Sequence, residues 1–340
     1  MRVVSTQSCT SSKLGRTDEP SSGPGRDIAA RALIEVDEPE VVGTSVARIA
    51  RIQAEYHDDR FSSLRSVERV RSVIEDLSGT TTNEGWIGLD QMGHFGPHGC
   101  KLVSDAVAEH TRSVDVLLEL GSGYGGSMRD VIDQLAKAGV PVRLGIGVEI
   151  VTGHIEAGSA IGRDFDVAAV AFVAGDVVRL PIASGGVDVV FAAGSMPHFY
   201  EPHDVIVEAA RVLRPGGLLI LLEEVSLVRA GYELRAEFLA EHPPNVFRYA
   251  SHTDRTTALD EAGFADITFT DLTDWAVELT DARLRAARLL RGTAERVYGP
   301  AQVASIERTL AVAAEAFRDH ALQPGIFAAV RRPRRATTAR

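Results

Sequence analysis

A cluster of glycines constrains the fold of this chain more than any other stretch. The apolar run Val114–Leu120 has the length of a β-strand and leads directly into Gly121-Ser-Gly123-Tyr-Gly125-Gly126. A helical pattern over Met128–Ala138 comes next. This order opens a nucleotide-binding α/β unit, because glycine permits positive φ and lets a ligand approach the backbone closely. The spacing of Gly121, Gly123 and Gly126 also fits a dinucleotide fingerprint, so the glycines alone leave the ligand open.

The acid at position 119 favours one kind of ligand over another. Glu119 lies at the carboxyl end of the first strand, just before the glycines. A dinucleotide places its pyrophosphate at this turn, where a carboxylate would repel it. S-adenosylmethionine carries no phosphate and has two cationic groups, a sulfonium and an ammonium. An acid beside the glycine loop therefore favours S-adenosylmethionine, although an ordinary βα turn of any doubly wound protein remains an alternative.

Composition excludes several classes of protein. The chain has 340 residues, 45% of them hydrophobic, and a net charge of −11. The acidic balance argues against a general nucleic-acid binder, and no window has the length of a transmembrane helix. Cys9 and Cys100 form neither a disulfide pattern nor a metal-ligand spacing. We therefore expect a cytoplasmic protein with no metal, no nucleic-acid partner and no membrane contact.

The region before the glycine motif is expected to form a cap. Residues 1–26 are rich in Ser, Thr, Gly and Pro and are predicted to be a disordered leader. Helical periodicity then runs from residue 27 to about 77, with breaks at Pro39 and Gly43. The glycine-rich loop Trp86–Pro97 is either a plain connector or a lid, and a helix from His98 to His110 follows it. Residues 27–110 would thus cover the ligand cleft or form a homodimer through the N-terminal helices.

Two later strands also end in acids. Val142–Val151 forms a second strand with Glu149 at its tip, where an acid can accept hydrogen bonds from both ribose hydroxyls. NAD-binding proteins use an acid at the same place, so Glu149 supports an adenosine ligand without separating the two cofactors. A third strand over 170–176 ends in Asp176, and a fourth begins at Val187.

Together these motifs resemble the class I S-adenosylmethionine-dependent methyltransferases, in particular the UbiE-like and sarcosine/tocopherol-type enzymes that act on small molecules. Glu119-Leu-Gly121-Ser-Gly123-Tyr-Gly125 is similar to the first motif of that family, and Gly175-Asp176 with Leu180-Pro-Ile182 and Val187-Asp188 to later ones. His94-Phe-Gly96 is similar to a short element ahead of the first motif, and Leu213-Arg-Pro-Gly-Gly217 to the turn before the fifth strand.

The resemblance implies the fold. It is an α/β, Rossmann-like class I methyltransferase fold with a seven-stranded, mostly parallel sheet. The antiparallel last strand, Ile326–Val330, is inserted between strands five and six. The core would cover residues 111–332, with an insertion at about 225–251 as a roof over the substrate, and residues 333–340 would be a basic, disordered tail.

The resemblance also implies the cofactor site. Asp176 would accept from the adenine amino group, and Asp188 would be structural. The residues expected to contact S-adenosyl-L-methionine are Glu119, Gly121, Ser122, Gly123, Tyr124, Gly125, Glu149, Ile150, Gly175, Asp176, Val177, Gly194 and Ser195.

Three residues are candidates for proton transfer. His198 follows the fourth strand and Glu223 ends the fifth, so both are expected to face the cleft. Histidine titrates near neutral pH, and a carboxylate beside it would orient the ring and favour the imidazolium. His94 is the second choice of base, since it can reach in from the lid. A base is needed only if the acceptor must lose a proton.

The expected function is methyl transfer to an O, N or C nucleophile of a small molecule, in bacterial secondary metabolism. One alternative is a non-methylating cyclase or regulatory protein on the same scaffold. An NAD-dependent oxidoreductase is disfavoured by Glu119, and a protein or RNA methylase by the acidic composition. Nothing in the sequence identifies the methyl acceptor.

Overall fold

The structure is a computed structural model of the chain, and it describes residues 3–4, 43–79, 86, 88–163, 169–227 and 234–333. The leader expected over 1–26 lies outside these ranges apart from Val3 and Val4. The first expected helix, which ends before Pro39, and all of the expected tail except residue 333 also lie outside them.

A single eight-stranded sheet forms the centre of the fold. The strand order is β1-β4-β3-β2-β5-β6-β8-β7. Strands β2 to β6 pair in parallel, and β8 pairs antiparallel with both β6 and β7. The expected mostly parallel sheet, with an antiparallel last strand between the fifth and sixth, is therefore confirmed, and β1 adds a short antiparallel strand beside β4. The strands are β1 (Val3–Val4), β2 (Val114–Leu120), β3 (Val142–Glu149), β4 (Ala169–Ala174), β5 (Val187–Ala193), β6 (Leu213–Ser226), β7 (Phe264–Asp271) and β8 (Leu322–Arg331).

The helices follow the predicted order closely. α3 begins at Gly96, two residues before the expected start, because Pro97 fits the first turn of a helix, where no backbone N–H is needed. No helix in the described ranges is long and apolar enough to cross a bilayer. The helices are α1 (Gly43–Phe61), α2 (Val67–Ser78), α3 (Gly96–His110), α4 (Gly126–Lys137), α5 (Thr152–Gly162), α6 (Pro202–Val212), α7 (Ala236–Glu241), α8 (His252–Glu261), α9 (Thr273–Leu289), α10 (Arg291–Tyr298) and α11 (Pro300–Arg318).

The Pro215-Gly-Gly217 segment does not form the expected turn before the strand. We expected it to reverse the chain before the fifth strand, yet β6 already pairs with β5 at Leu213, ahead of Pro215. The register between the two strands shifts over this segment, and Gly216 has a φ of 79°. Pro-Gly-Gly is thus a bulge within β6, which a glycine with positive φ accommodates.

The cap over the sheet is built from more of the chain than expected. Besides α1 and the segment after β6, the long helical stretch α9–α11 covers the same edge of the sheet. Glu241 on α7 joins the parts: one carboxylate oxygen accepts from Arg60 of α1 (2.9 Å) and the other from Arg308 of α11 (2.8 Å). No covering role was expected for α9–α11.

Candidate active site

A cavity of about 680 Å³ lies between the sheet and the cap. It is lined by the residues that follow β2, β3 and β5, at the point where the strand order reverses. Open α/β sheets bind their ligands at this switch point, because the loops on either side diverge there and leave a crevice. The volume lies in the usual range for small-molecule sites, roughly 300–1,000 Å³.

The glycine loop is held in place by β3 and covered by the lid loop. The backbone N–H groups of Gly121 and Ser122 both donate to the carbonyl of Val148, at 2.9 and 3.1 Å. Gly123 has a φ of 52°, and a Cβ there would lie 2.4 Å from Cε of Met92. A side chain at position 123 would therefore strain the backbone and force the end of the Met92 side chain to move.

Glu119 faces the cavity with an oxygen that lacks a partner. Its side chain is buried, and among the described residues none hydrogen bonds to Oε2. Burial raises the pKa of Glu119 well above its usual range, and the positive charge of Arg129 only partly opposes this. A buried carboxylate oxygen of this kind is stabilised by a cationic ligand group such as an ammonium. The site therefore fits the amino-acid end of S-adenosylmethionine.

Glu149 occupies the predicted place at the tip of β3. Its two oxygens accept from the backbone N–H groups of Gly123 (2.9 Å) and Val151 (2.8 Å). Burial by itself would raise the pKa of Glu149, but His154 and these N–H groups outweigh it and lower the pKa. An ionised Glu149 at the cavity wall has lone pairs left for ribose hydroxyls.

Asp176 follows β4 and lines the cavity. One oxygen accepts from the hydroxyl of Tyr200 (2.7 Å) and the other from the backbone N–H of Val178 (3.1 Å). Eleven of the thirteen expected cofactor residues, Asp176 among them, line the cavity. They are Glu119, Gly121, Ser122, Gly123, Glu149, Ile150, Gly175, Asp176, Val177, Gly194 and Ser195. Their contact with the cofactor itself stays a prediction.

Tyr124 and Gly125 are not among the residues that line the cavity, and their contact with the cofactor stays a prediction. The hydroxyl of Tyr124 donates to the carbonyl of Phe61 at 3.1 Å, so the ring points into the cap. A Cβ on Gly125 would lie 2.2 Å from the ring of Phe172. Both residues pack the glycine loop against its neighbours.

The loop over residues 88–95 closes one side of the cavity. It is anchored by a buried ion pair between Asp90 and Arg129 of α4. Gly126 makes room for this contact, since a Cβ there would lie 2.3 Å from Oδ1 of Asp90. Arg283 of α9 donates to the carbonyl of Gly93 at 2.9 Å and also to that of His94. This placement favours the lid interpretation over a plain connector.

The expectation that Glu223 faces the cleft is wrong. Its two oxygens accept from Nε and Nη2 of Arg255, at 2.6 and 2.7 Å, and both side chains are fully buried. Glu223 is therefore held in a structural ion pair away from the cavity. The neighbouring residue, Glu224, lines the cavity instead.

Glu224 contacts one of the candidate bases. Its Oε1 lies 2.9 Å from Nδ1 of His94, and Nε2 of His94 lies 3.3 Å from Nε2 of His242. His242 is stacked on Phe238 at 4.2 Å, and burial lowers the pKa of His242 well below its usual range. His94 is thus the cavity histidine that has a carboxylate beside it.

His198 lines the cavity as expected, but its partner is an amide. Its Nδ1 lies 3.1 Å from Oε1 of Gln53, and its ring lies 4.3 Å from that of Phe247. Burial lowers the pKa of His198 well below its usual range, and the nearby His57 adds to this. His198 is therefore a neutral hydrogen-bonding group near neutral pH, and its role as a base stays a prediction.

Several cavity residues were missed by the sequence analysis. Gln53, Tyr56 and His57 project from α1, and Phe247 from the inserted segment. Their helical spacing with Ile49 and Arg60 shows that one face of α1 points inward. In the sequence, polar and aromatic residues interrupt an otherwise apolar face of this helix. This interruption was the signal from which the cavity residues could have been predicted.

The fold and the glycine-loop site define an α/β enzyme that binds an adenosine-containing cofactor at the carboxyl ends of its strands. A family model, described as Methyltransferase domain, matches residues 118–221. The 27-O-demethylrifamycin SV methyltransferase of Amycolatopsis mediterranei (strain S699) is 30% identical over 200 residues, which cover 58% of this chain and 71% of that protein. The chain belongs to the class I S-adenosylmethionine-dependent methyltransferases, and S-adenosylmethionine is its cofactor.

Solved structures share the fold. The phosphoethanolamine N-methyltransferase 2 of Haemonchus contortus, in complex with phosphomonomethylethanolamine and S-adenosylhomocysteine, gives a TM-score of 0.62 at 16% identity, over 78% of this chain and 60% of that chain. The [4+2]-cyclase SpnF gives a TM-score of 0.53 at 22% identity, over 68% of this chain and 80% of that chain. At these identities the likeness establishes the fold alone.

Proposed function

We propose that this enzyme methylates a nucleophilic oxygen, nitrogen or carbon of a small molecule in bacterial secondary metabolism. The observation that carries the proposal is that one cavity contains both the glycine-loop residues and the inward faces of the cap. A polymeric acceptor would have to pass beneath the cap. The similarity to a methyltransferase named for a rifamycin supports a secondary metabolite as the acceptor.

The residues of the chain supply binding, alignment and exclusion of water. Glu119, Glu149 and Asp176 would hold the cofactor, which when bound supplies an activated methyl group on its sulfonium. The lid and α1 would shield the acceptor from solvent and hold it in line. Well-oriented systems gain up to roughly 7–11 kcal/mol from such positioning.

For an acceptor that must lose a proton, we place the base at His94. With its Nδ1–H donated to Glu224, the ring presents the lone pair of Nε2 as the proton acceptor. The carboxylate would favour the imidazolium that forms. The acceptor would replace His242 at the 3.3 Å contact with Nε2. In this arrangement His198, which no carboxylate contacts, orients the acceptor through a neutral hydrogen bond.

Methyl-labelled cofactor tests the proposal. The purified enzyme is incubated with S-adenosylmethionine carrying a trideuterated methyl group and with three separate fractions of an actinobacterial lysate: metabolites, protein and RNA. We expect the label in the metabolite fraction. Label in the protein or RNA fraction would contradict a small-molecule acceptor.

A non-methylating cyclase or regulatory protein is the second candidate, because a cyclase shares the fold. It would bind S-adenosylhomocysteine and leave all three fractions unlabelled. The homodimer, the cytoplasmic location and the absence of a nucleic-acid partner stay predictions. The inward face of α1 already lines the cavity, so a dimer would have to use its outer face.

A further inference from the structure

The cap side of the cavity is largely apolar. It is formed by the end of α9 and by α10 and α11, none of which belongs to the sheet, and α1 adds Ile49 next to its polar groups Gln53, Tyr56 and His57. Aliphatic side chains cover most of this wall: Ile49, Ala287, Leu290, Val303, Ile306 and Leu310. A wall of this kind gains free energy by burying apolar ligand surface and offers few hydrogen bonds in return.

The basic groups near this wall are already occupied. Of the described residues that line the cavity, Arg60 and Arg283 are the ones with a guanidinium, and none is a lysine. Arg60 pairs with Glu241 at 2.9 Å and donates to Thr309 at 3.3 Å, and its guanidinium lies over the ring of Tyr56. Arg283 holds the carbonyls of the lid. An anion in the cavity would therefore have to break an existing structural contact.

The acids of the cavity strengthen this discrimination. Glu119, Glu149, Asp176 and Glu224 all face the same space. With the cofactor bound to the first three, a phosphate or carboxylate on the acceptor would meet Glu224, without an available cation to balance it. Like charges at short range in a poorly solvated site repel strongly, and desolvating an unpaired anion costs several kcal/mol.

Exposed leucines mark the rim of the cavity. Leu77 of α2 is 45% exposed and Leu290 is 55% exposed, and both belong to the cavity wall. Leu289, next in the chain, is 85% exposed and does not line the cavity. A long apolar acceptor that reaches the rim would cover the side chains of Leu77 and Leu290.

We infer that the acceptor is an uncharged, predominantly apolar molecule with a hydroxyl group, and that phosphorylated or carboxylated acceptors are excluded. The inference rests on the proposed function. The apolar body would lie against α9–α11, and the hydroxyl would lie between His94 and His198, the polar groups at the opposite side. The enzyme would discriminate against anionic acceptors because Arg60 and Arg283 already hold structural contacts and are not available to pair with an anion.

Matched pairs of ligands test the inference without turnover. Binding of naphthol, methylumbelliferone and estradiol, and of their monophosphate esters, is measured by calorimetry on the enzyme saturated with S-adenosylhomocysteine. We expect at least one neutral alcohol to bind and its phosphate ester to bind at least tenfold more weakly. Equal or tighter binding of the esters overturns the inference, and so does failure of all three alcohols to bind.

Two arginine variants identify the cause. Leu290→Arg would place a free cation at the cavity rim and is expected to strengthen binding of the phosphate esters at least tenfold. Leu289→Arg adds the same charge on the solvent side and is expected to leave their affinity unchanged. Equal gains in both variants would indicate non-specific attraction and contradict the inference. Binding of S-adenosylhomocysteine, measured in parallel, separates a wrong acceptor class from a wrong cofactor site.

Discussion

Glu223 and Glu224 are neighbours in sequence, and because side chains alternate across a strand they point to opposite faces of β6. Glu223 forms a buried ion pair with Arg255. Removal of either partner would leave a buried charge unpaired. Glu224 faces the cavity and holds His94. The two acids therefore have separable roles, one in stability and one in proton transfer.

Glutamine at each position separates these roles. Glu223→Gln is expected to lower the free energy of unfolding by about 3–5 kcal/mol, the usual effect of breaking a buried pair, with little change in kcat of the folded enzyme. Glu224→Gln is expected to change stability much less and to lower kcat at least roughly tenfold, since His94 would lose its orienting carboxylate. Urea unfolding and turnover with the labelled acceptor measure both effects.

The histidines provide the control for the base. His94→Gln is expected to lower kcat by about 10²-fold or more and to change the pH profile of kcat, because the group that accepts the proton is lost. His198→Gln would raise KM and leave the pH profile of kcat unchanged. If His198→Gln changes the pH profile of kcat and His94→Gln does not, the base is His198 and His94 is a positioning residue.

The lid loop shows how an element is fixed by contacts outside itself. Residues 88–95 have no regular structure, and their position depends on Asp90, which reaches Arg129 on α4, and on Arg283 from α9. Gly126 provides the space that Asp90 occupies. The loop is thus closed by two distant helices, one on each side.

A single methyl group at position 126 should open this lid. In Gly126→Ala the Cβ would collide with both the side chain and the backbone of Asp90, so the loop must move as a whole. We expect at least roughly tenfold weaker binding of S-adenosylhomocysteine by calorimetry, because Met92 would no longer cover the glycine loop.

Gly162→Ala is the matched control. Gly162 also lies in a helix, and an added Cβ there meets nothing within 4 Å. We expect unchanged cofactor affinity and a small gain in stability, up to about 1 kcal/mol, from the better helix propensity of alanine. Equal affinities in the two variants would show that the lid does not contribute to cofactor binding.

At the scale of the whole molecule, the cap and the sheet enclose a group of histidines kept neutral by burial. Burial lowers the pKa of His57 to about 4, and the nearby His154 adds to the effect. His198 and His242 are shifted in the same direction. These rings connect α1, the loop after β5 and the inserted segment, so their protonation would loosen the attachment of the cap.

Stability should therefore fall in acid. Between about pH 6.5 and pH 4 the unfolded chain binds a proton at position 57 and the folded protein does not, so unfolding becomes easier as the pH is lowered. Because the ring is only partly buried, we expect about 2 kcal/mol from His57 over this range. Urea unfolding at several pH values in His57→Gln and in the wild type measures the difference in slope.

The comparison of slopes is needed because buried acids act in the opposite direction. The raised pKa values of Asp90, Glu119 and Glu223 make the folded protein bind protons more readily than the unfolded chain. A slope for His57→Gln equal to that of the wild type would contradict the prediction.

The sequence by itself determined the class of fold and most of the cofactor side. The order of strand, glycine turn and helix is local, and the carboxyl ends of parallel strands meet at one edge of a sheet. Acids at 119, 149 and 176 therefore had to converge, and the structure brings all three to the cavity wall.

Tertiary structure decided the acceptor side. β6 is apolar on both faces, so its pattern has no alternation from which to tell whether Glu223 or Glu224 faces the cavity. The lid, the pair of Glu224 with His94 and the cover by α9–α11 join residues that are far apart in the chain. Local periodicity reports which face of an element is buried and does not report what that face is buried against.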